Sequence, residues 1–140
     1  MGLRWWQWGL VALGFVFLAF IAMYAIGAML PVAHTATVSA QLDAPPEEVW
    51  ALISDVDGYP GWRPDVDTVT RLDDRTGLPV WREEAEMGAM TFEVTAWDPP
   101  RRLVTRIADE DLPFAGRSTY VLEPSGDGTM LTITEDGEVY

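Results

Sequence analysis

The sequence predicts an α+β domain built on one antiparallel sheet and preceded by a single transmembrane helix. Three observations carry this expectation. From Trp5 to Ala33 no side chain is charged and only Gln7 is strongly polar, a run longer than the ~20 residues needed to cross a bilayer core. From Val66 onward, stretches with a period of two recur between turns rich in Gly, Pro and Asp, the pattern of strands joined by hairpins. Between these two regions stands one short amphipathic stretch, Glu47 to Ile53, with Val49, Trp50, Leu52 and Ile53 on an apolar stripe.

The N-terminal segment is expected to span from about Trp5 to Pro31. Trp5, Trp6 and Trp8 cluster beside Arg4, as amphipathic rings and a snorkelling cation do at the water boundary of a membrane helix. Pro31 then ends the helix at the far interface. Arg4 and the amino terminus precede the span, whereas Asp43, Glu47 and Glu48 follow it and no basic residue returns until Arg63. This bias places the N-terminus in the cytoplasm and the domain on the outer side. Among Gly9, Ala12, Gly14, Ala19, Ala22, Ala25, Gly27 and Ala28 no two lie four apart, so the helix reads as an anchor rather than an association device. A cleavable signal peptide is the competing reading, and the length of the apolar run opposes it. The chain therefore divides into a cytoplasmic N-terminus with its anchor over 1–33 and one domain over 34–140, enough for a single modest core.

Within the domain, His34 to Leu42 is extended and rich in β-branched residues, and Asp43-Ala44-Pro45-Pro46 must leave the strand. Pro46 near the helix start and the acids Glu47 and Glu48 in its first turn favour a helix over 47–53. Asp55 to Pro64, with Tyr59 and Trp62 set among Gly and Pro, predicts a turn and a second helical turn pinned by aromatics. Strands are then expected at Val66–Leu72, Val80–Met87, Met90–Trp97, Leu103–Ala108, Arg117–Glu123 and Met130–Glu138. The intervening turns suit hairpins and a meandering sheet.

Composition narrows the chemistry. There is no cysteine, which excludes disulfides, thiolate nucleophiles and cysteine-based zinc sites. His34 is the single histidine, and the nine basic residues, all arginine, face 22 acidic ones for a net charge of −13. Nucleic acid is not an expected partner of such a chain. No cofactor or metal is expected: the run Asp109-Glu110-Asp111 matches no calcium loop.

The order of strand, Ala44 to Trp50 (APPEEVW) helix, Gly-Tyr-Pro-Gly-Trp-Arg-Pro turn through Trp62, and six antiparallel strands resembles the START-like, or polyketide cyclase/dehydrase, superfamily over about Thr35 to Tyr140. Pro99-Pro100 and the Gly126-Asp127-Gly128-Thr129 turn add to the likeness. The resemblance implies a helix-grip architecture, in which the sheet wraps a long C-terminal helix and an apolar cavity opens between them. Here the sequence ends just after the last expected strand, so the expectation is a START-like domain lacking that helix by C-terminal truncation.

Trp50, Trp62, Trp81, Phe92, Val94, Trp97, Ile107, Phe114, Tyr120 and Leu122 are the candidates to line such a cavity, with plain core packing as the alternative for each. Glu83, Glu84 and Glu86, with Glu135, Asp136 and Glu138, are the only carboxylate groupings that resemble an acid/base set, and a solvated outer face accounts for them. Arg63, Arg82, Arg106 and Arg117 are candidates to hold the carboxylate or phosphate of an amphiphile from inside the cup. His34, beside the membrane boundary, reads as an interface residue.

The leading expectation is membrane-anchored binding or transfer of a hydrophobic small molecule, a lipid or isoprenoid-like ligand, without catalysis. One rival is a polyketide cyclase or aromatase-like enzyme, for which no catalytic constellation stands out. Another is a ligand-free regulatory domain whose open sheet face docks an unknown protein partner.

Overall fold

A computed structural model describes residues 17–26, 29 and 32–140. The chain forms two separate units, Met1–Val32 and Ala33–Tyr140. Of the first, residues 17–26 are helical with exposed side chains. The greater part of the expected transmembrane segment, Trp5–Pro31, lies outside the described residues. Among those that are described, no helix is long and apolar enough to cross a membrane.

The second unit begins with β1 (Ala33–Leu42) and α1 (Pro46–Ser54), followed by a 3-10 turn over Val56–Gly61. The remaining strands are β2 (Thr68–Arg75), β3 (Leu78–Ala85), β4 (Gly88–Asp98), β5 (Arg102–Ile107), β6 (Phe114–Ser125) and β7 (Gly128–Val139). All seven form one antiparallel sheet in the order β1-β7-β6-β5-β4-β3-β2. Only β1 crosses to a distant partner, pairing with β7 from Ala33 opposite Glu138 to Leu42 opposite Thr129. Every other neighbour is a hairpin.

Local chemistry explains each junction. Pro46 opens α1, where its missing N–H costs nothing, and Glu47 and Glu48 lie at the positive end of the helix. The corner between β1 and α1 is pinned by Thr129, whose fully buried hydroxyl donates to the carbonyl of Ala44 at 2.7 Å. The β2–β3 hairpin turns on Thr76 (φ 54°) and Gly77 (φ 77°), two consecutive left-handed residues that match the twist of the flanking strands. Asp73 to Arg75, expected in a turn, therefore remain in β2, which passes an irregularity between Leu72 and Arg75. β6 starts at Phe114 rather than Arg117, because its register with β7 runs unbroken from Phe114 opposite Val139 to Ser125 opposite Gly128.

One face of the sheet, called inner here, receives both helical elements. Val49, Trp50 and Ile53 of α1 and Val56 and Tyr59 of the 3-10 turn are buried in one core with Val66, Trp81, Val94, Leu103 and Leu122. α1 packs over β6 and β7, and the 3-10 turn packs on β2. At about 25 cal/mol per Å² of apolar surface, this cluster is the main stabilising contribution. It leaves part of the inner face open. Val38 on β1 is 67% exposed and Trp97 on β4 is 38% exposed. The long helix that the helix-grip architecture places in this position is not found among the described residues, where the nine-residue α1 is the longest helix on the sheet.

Candidate functional site

Strand alternation decides which side chains meet on the inner face. On β3 these are Trp81 and Glu83, on β6 Ser118, Tyr120 and Leu122, and on β7 Leu131, Ile133 and Glu135, opposite Ala40, Val38 and Ala36 of β1. β4 breaks the simple alternation. A bulge between Val94 and Ala96 sets two residues against Thr105, so Trp97 shares the face of Phe92 and Val94 instead of opposing it. Trp97 thereby meets Trp50 edge to face, with ring centroids 5.1 Å apart.

The ten residues expected to line a cavity fall into three groups. Trp50, Trp81, Val94 and Leu122 are buried in the core and pack against it rather than facing open space. Phe92 and Tyr120 are partly buried against that core, and Phe92 stacks on Trp81 at 5.8 Å. Ile107 lies on the same face, over Gly116 of the neighbouring strand. Trp97, Phe114 and Trp62 are exposed, Phe114 at the end of β6 and Trp62 after the 3-10 turn, where it meets Tyr59 edge to face at 5.7 Å.

The polar groups of the inner face differ from expectation. Glu83 is buried, 7% exposed, and does not belong to a solvated outer face. Its Oε1 accepts the indole N–H of Trp81 at 3.0 Å and a guanidinium N–H of Arg63 at 3.1 Å. These two charge-assisted bonds offset the desolvation of the carboxylate. Arg63 also donates to Asp65 at 2.6 Å and lies over the Tyr59 ring at 5.0 Å. That bond to Arg63 holds the Asp65 carboxyl below the usual carboxylate range. Glu135 is on the inner face as well, open to solvent, with Oε2 accepting from the Ser118 hydroxyl at 2.7 Å. Glu84 accepts from Thr68 on the opposite face, and Glu86 lies in the β3–β4 turn. His34 covers Gly137 closely enough that a Cβ there would collide with the imidazole.

Of the four candidate arginines only Arg63 reaches the inner face. Arg82, Arg106 and Arg117 alternate with Trp81, Ile107 and Tyr120 and so project from the outer face. There Arg106 and Arg75 both clasp the buried Glu93. Strand parity against the aromatic residues was the available signal, and it opposes a cup-facing role for all three.

Tyr59 and Tyr120 complete the site. The Tyr59 hydroxyl donates to the carbonyl of Ile53, tying the 3-10 turn to α1. Burial raises the Tyr59 phenol well above its ordinary value, with Tyr120 adding to the shift. Burial likewise raises Tyr120, reinforced by the Glu135 carboxylate and opposed by Arg63. Both phenols stay protonated and can donate. Among the described residues no group of His, Asp and Glu is arranged to hold a metal ion.

A seven-stranded antiparallel sheet whose inner face carries two short helical elements and a few oriented polar groups defines a START-like fold. The chain belongs to the polyketide cyclase / dehydrase and lipid transport family, whose profile matches residues 33–140. Solved structures share the fold. The aromatase/cyclase Zhui of Streptomyces sp. R1128 is similar with a TM-score of 0.68 at 20% identity, over 77% of this chain and 69% of that one. A START superfamily protein from Mycobacterium smegmatis gives 0.64 at 24% identity, over 76% and 78%. The di-domain ARO/CYC StfQ of the steffimycin biosynthetic pathway gives 0.67 at 9% identity, and this chain spans only 37% of its length. No curated protein matches the chain significantly.

Proposed function

We propose that the domain binds a hydrophobic small molecule, a lipid or isoprenoid-like compound, on its inner sheet face, and that residues 5–31 tether it to a membrane. The observation that carries this reading is the open apolar stretch beside α1. Val38 is 67% exposed beside Ile133 and Tyr120 of the next two strands, and Trp97, 38% exposed, lies across the buried Leu103 from Tyr120. Exposed apolar side chains with a few orienting polar groups beside them are the surface on which a hydrophobic ligand is held. Burying a single chain of ten methylenes there is worth about 8 kcal/mol before an association cost of about 4 kcal/mol or more, so the chain alone supports about millimolar binding and tighter affinity needs further contacts.

Extraction of small molecules from the purified full chain, followed by mass spectrometry, tests this. One stoichiometric apolar compound is expected. A preparation free of such a compound, and unable to take one up, would count against ligand binding and favour a protein-docking surface.

Cyclase-like catalysis is a second reading. Likeness to the aromatase/cyclase Zhui supports it, with the Tyr120 hydroxyl, held protonated chiefly by burial, as a hydrogen-bond donor to a substrate carbonyl on the inner face. Turnover of an aromatic polyketide thioester mimic that disappears in Tyr120→Phe is the expected sign of it.

A further inference from the structure

The balance of charged side chains on the inner face bears on the head group of the ligand, resting on the ligand-binding reading just given. Among the described residues two arginines lie on this side of the sheet, and both are spoken for. Arg63 is shared between Asp65 and Glu83 at 2.6 and 3.1 Å. Arg71, inner by its pairing opposite Trp81, meets both oxygens of Asp57 at 3.3 and 3.2 Å. Two guanidinium groups thus answer three carboxylates, and Glu135 stands as a fourth with no cation beside it.

The arginines that would reverse this balance are placed elsewhere. Arg75, Arg82, Arg102, Arg106 and Arg117 all project from the outer face by strand parity or by their bonds to Glu93. The free acceptors are therefore carboxylate oxygens. Glu83 Oε1 takes both the Trp81 and Arg63 bonds, and Glu135 Oε2 takes the Ser118 bond. Oε2 of Glu83 and Oε1 of Glu135 receive no bond from the described residues. An anionic head entering this face would find a neutral donor in the Tyr120 hydroxyl, but it would lie against Glu135 and could gain a cation only by pulling Arg63 off a partner, leaving a carboxylate uncompensated in a low-dielectric setting. A hydroxyl or ammonium would instead find acceptors waiting.

We infer that this face selects apolar ligands whose polar end is a hydrogen-bond donor, a neutral alcohol or phenol or an ammonium, and rejects fatty acids and other anionic amphiphiles. Glu135 is the residue that sets the preference. It is solvent-open and bonded only to Ser118, so its substitution leaves the core intact.

Octanol, octylammonium and octanoate, matched in chain and differing in head group, are titrated at pH 7 into the full chain in zwitterionic nanodiscs. The methyl resonances of Val38 and Ile133 report the inner face, and those of Val121 on the outer face serve as control. Octanol and octylammonium are expected to shift the inner methyls saturably at concentrations at least tenfold below octanoate. Glu135→Gln is expected to shrink the octylammonium-to-octanoate ratio by threefold or more. Octanoate binding equal to or tighter than the other two, or a ratio unmoved by Glu135→Gln, overturns the inference while ligand binding stands. If none of the three moves Val38 or Ile133 in a folded protein, the binding function itself falls, and the head-group selectivity with it.

Discussion

Glu83→Ala should destabilise the domain by about 2–4 kcal/mol, a magnitude that follows from what each partner loses. The Trp81 ring is 2% exposed, so its indole N–H, deprived of Glu83 Oε1 at 3.0 Å, has no water to turn to. An unsatisfied buried donor costs about 1–3 kcal/mol. Arg63 loses a bond of 3.1 Å but keeps Asp65 at 2.6 Å. Its side chain is 28% exposed, so its loss falls well short of the 3–5 kcal/mol of a fully buried broken pair and is set at about 1 kcal/mol. Glu83→Gln keeps an acceptor oxygen for both donors and gives up only the charge, so its cost should be about 1 kcal/mol. Urea unfolding of the full chain, followed by tryptophan emission, gives both values from midpoints at constant slope. If alanine and glutamine cost the same, or if alanine costs less than about 0.5 kcal/mol, Glu83 is a solvated carboxylate and the buried network is misread.

Trp50→Ala should cost about 3–5 kcal/mol, since the ring is buried and braces Trp97 edge to face; a loss below about 1 kcal/mol in the same assay would place α1 elsewhere. Stability should hold up to about pH 10 and then decline. Tyr59 and Tyr120 are both raised in the folded state by burial, so their neutral forms favour the fold below the unfolded value near 10, and that contribution disappears as pH climbs toward the folded values. Urea midpoints at pH 8, 10 and 11 should fall less steeply for Tyr59→Phe than for the parent, and parallel curves would contradict the burial of that phenol. Thr76→Asn should gain up to about 1 kcal/mol, because a β-branched residue at φ 54° is held in a left-handed conformation that asparagine tolerates; no gain in the thermal midpoint would show that the Thr76 hydroxyl bond to the Arg75 carbonyl matters more.

Much of the fold was legible because it rests on local chemistry. Pro46 with Glu47 and Glu48 marks the start of α1, and Asp98-Pro99-Pro100 and Ser125 to Gly128 separate strands of clear period two. Strand ends were less so, since β6 reaches back to Phe114 only through its pairing with β7, a contact between distant residues. The site was harder still. Alternation states that Glu83 shares a face with Trp81, yet which face is buried depends on where α1 and the 3-10 turn pack, and no local pattern encodes that. Trp97 illustrates the opposite limit. Its side follows from a bulge at Val94–Ala96, and nothing in the surrounding residues announces it, so that strict alternation would assign the ring to the wrong face. Arg82 and Arg117 each sit an odd number of residues from Trp81 and Tyr120, so alternation places them on the face opposite those rings.

Ligand binding on the inner face is tested most directly by photolabelling. The full chain in nanodiscs is irradiated with a dodecanol bearing a diazirine in its chain, digested, and the adducts are mapped by mass spectrometry. Adducts should concentrate on Val38, Ile133, Tyr120 and Trp97, saturate with ligand, and be displaced by excess dodecanol. Labelling spread over outer-face residues such as Val121 and Thr134, or no saturable labelling of the inner face, would contradict it.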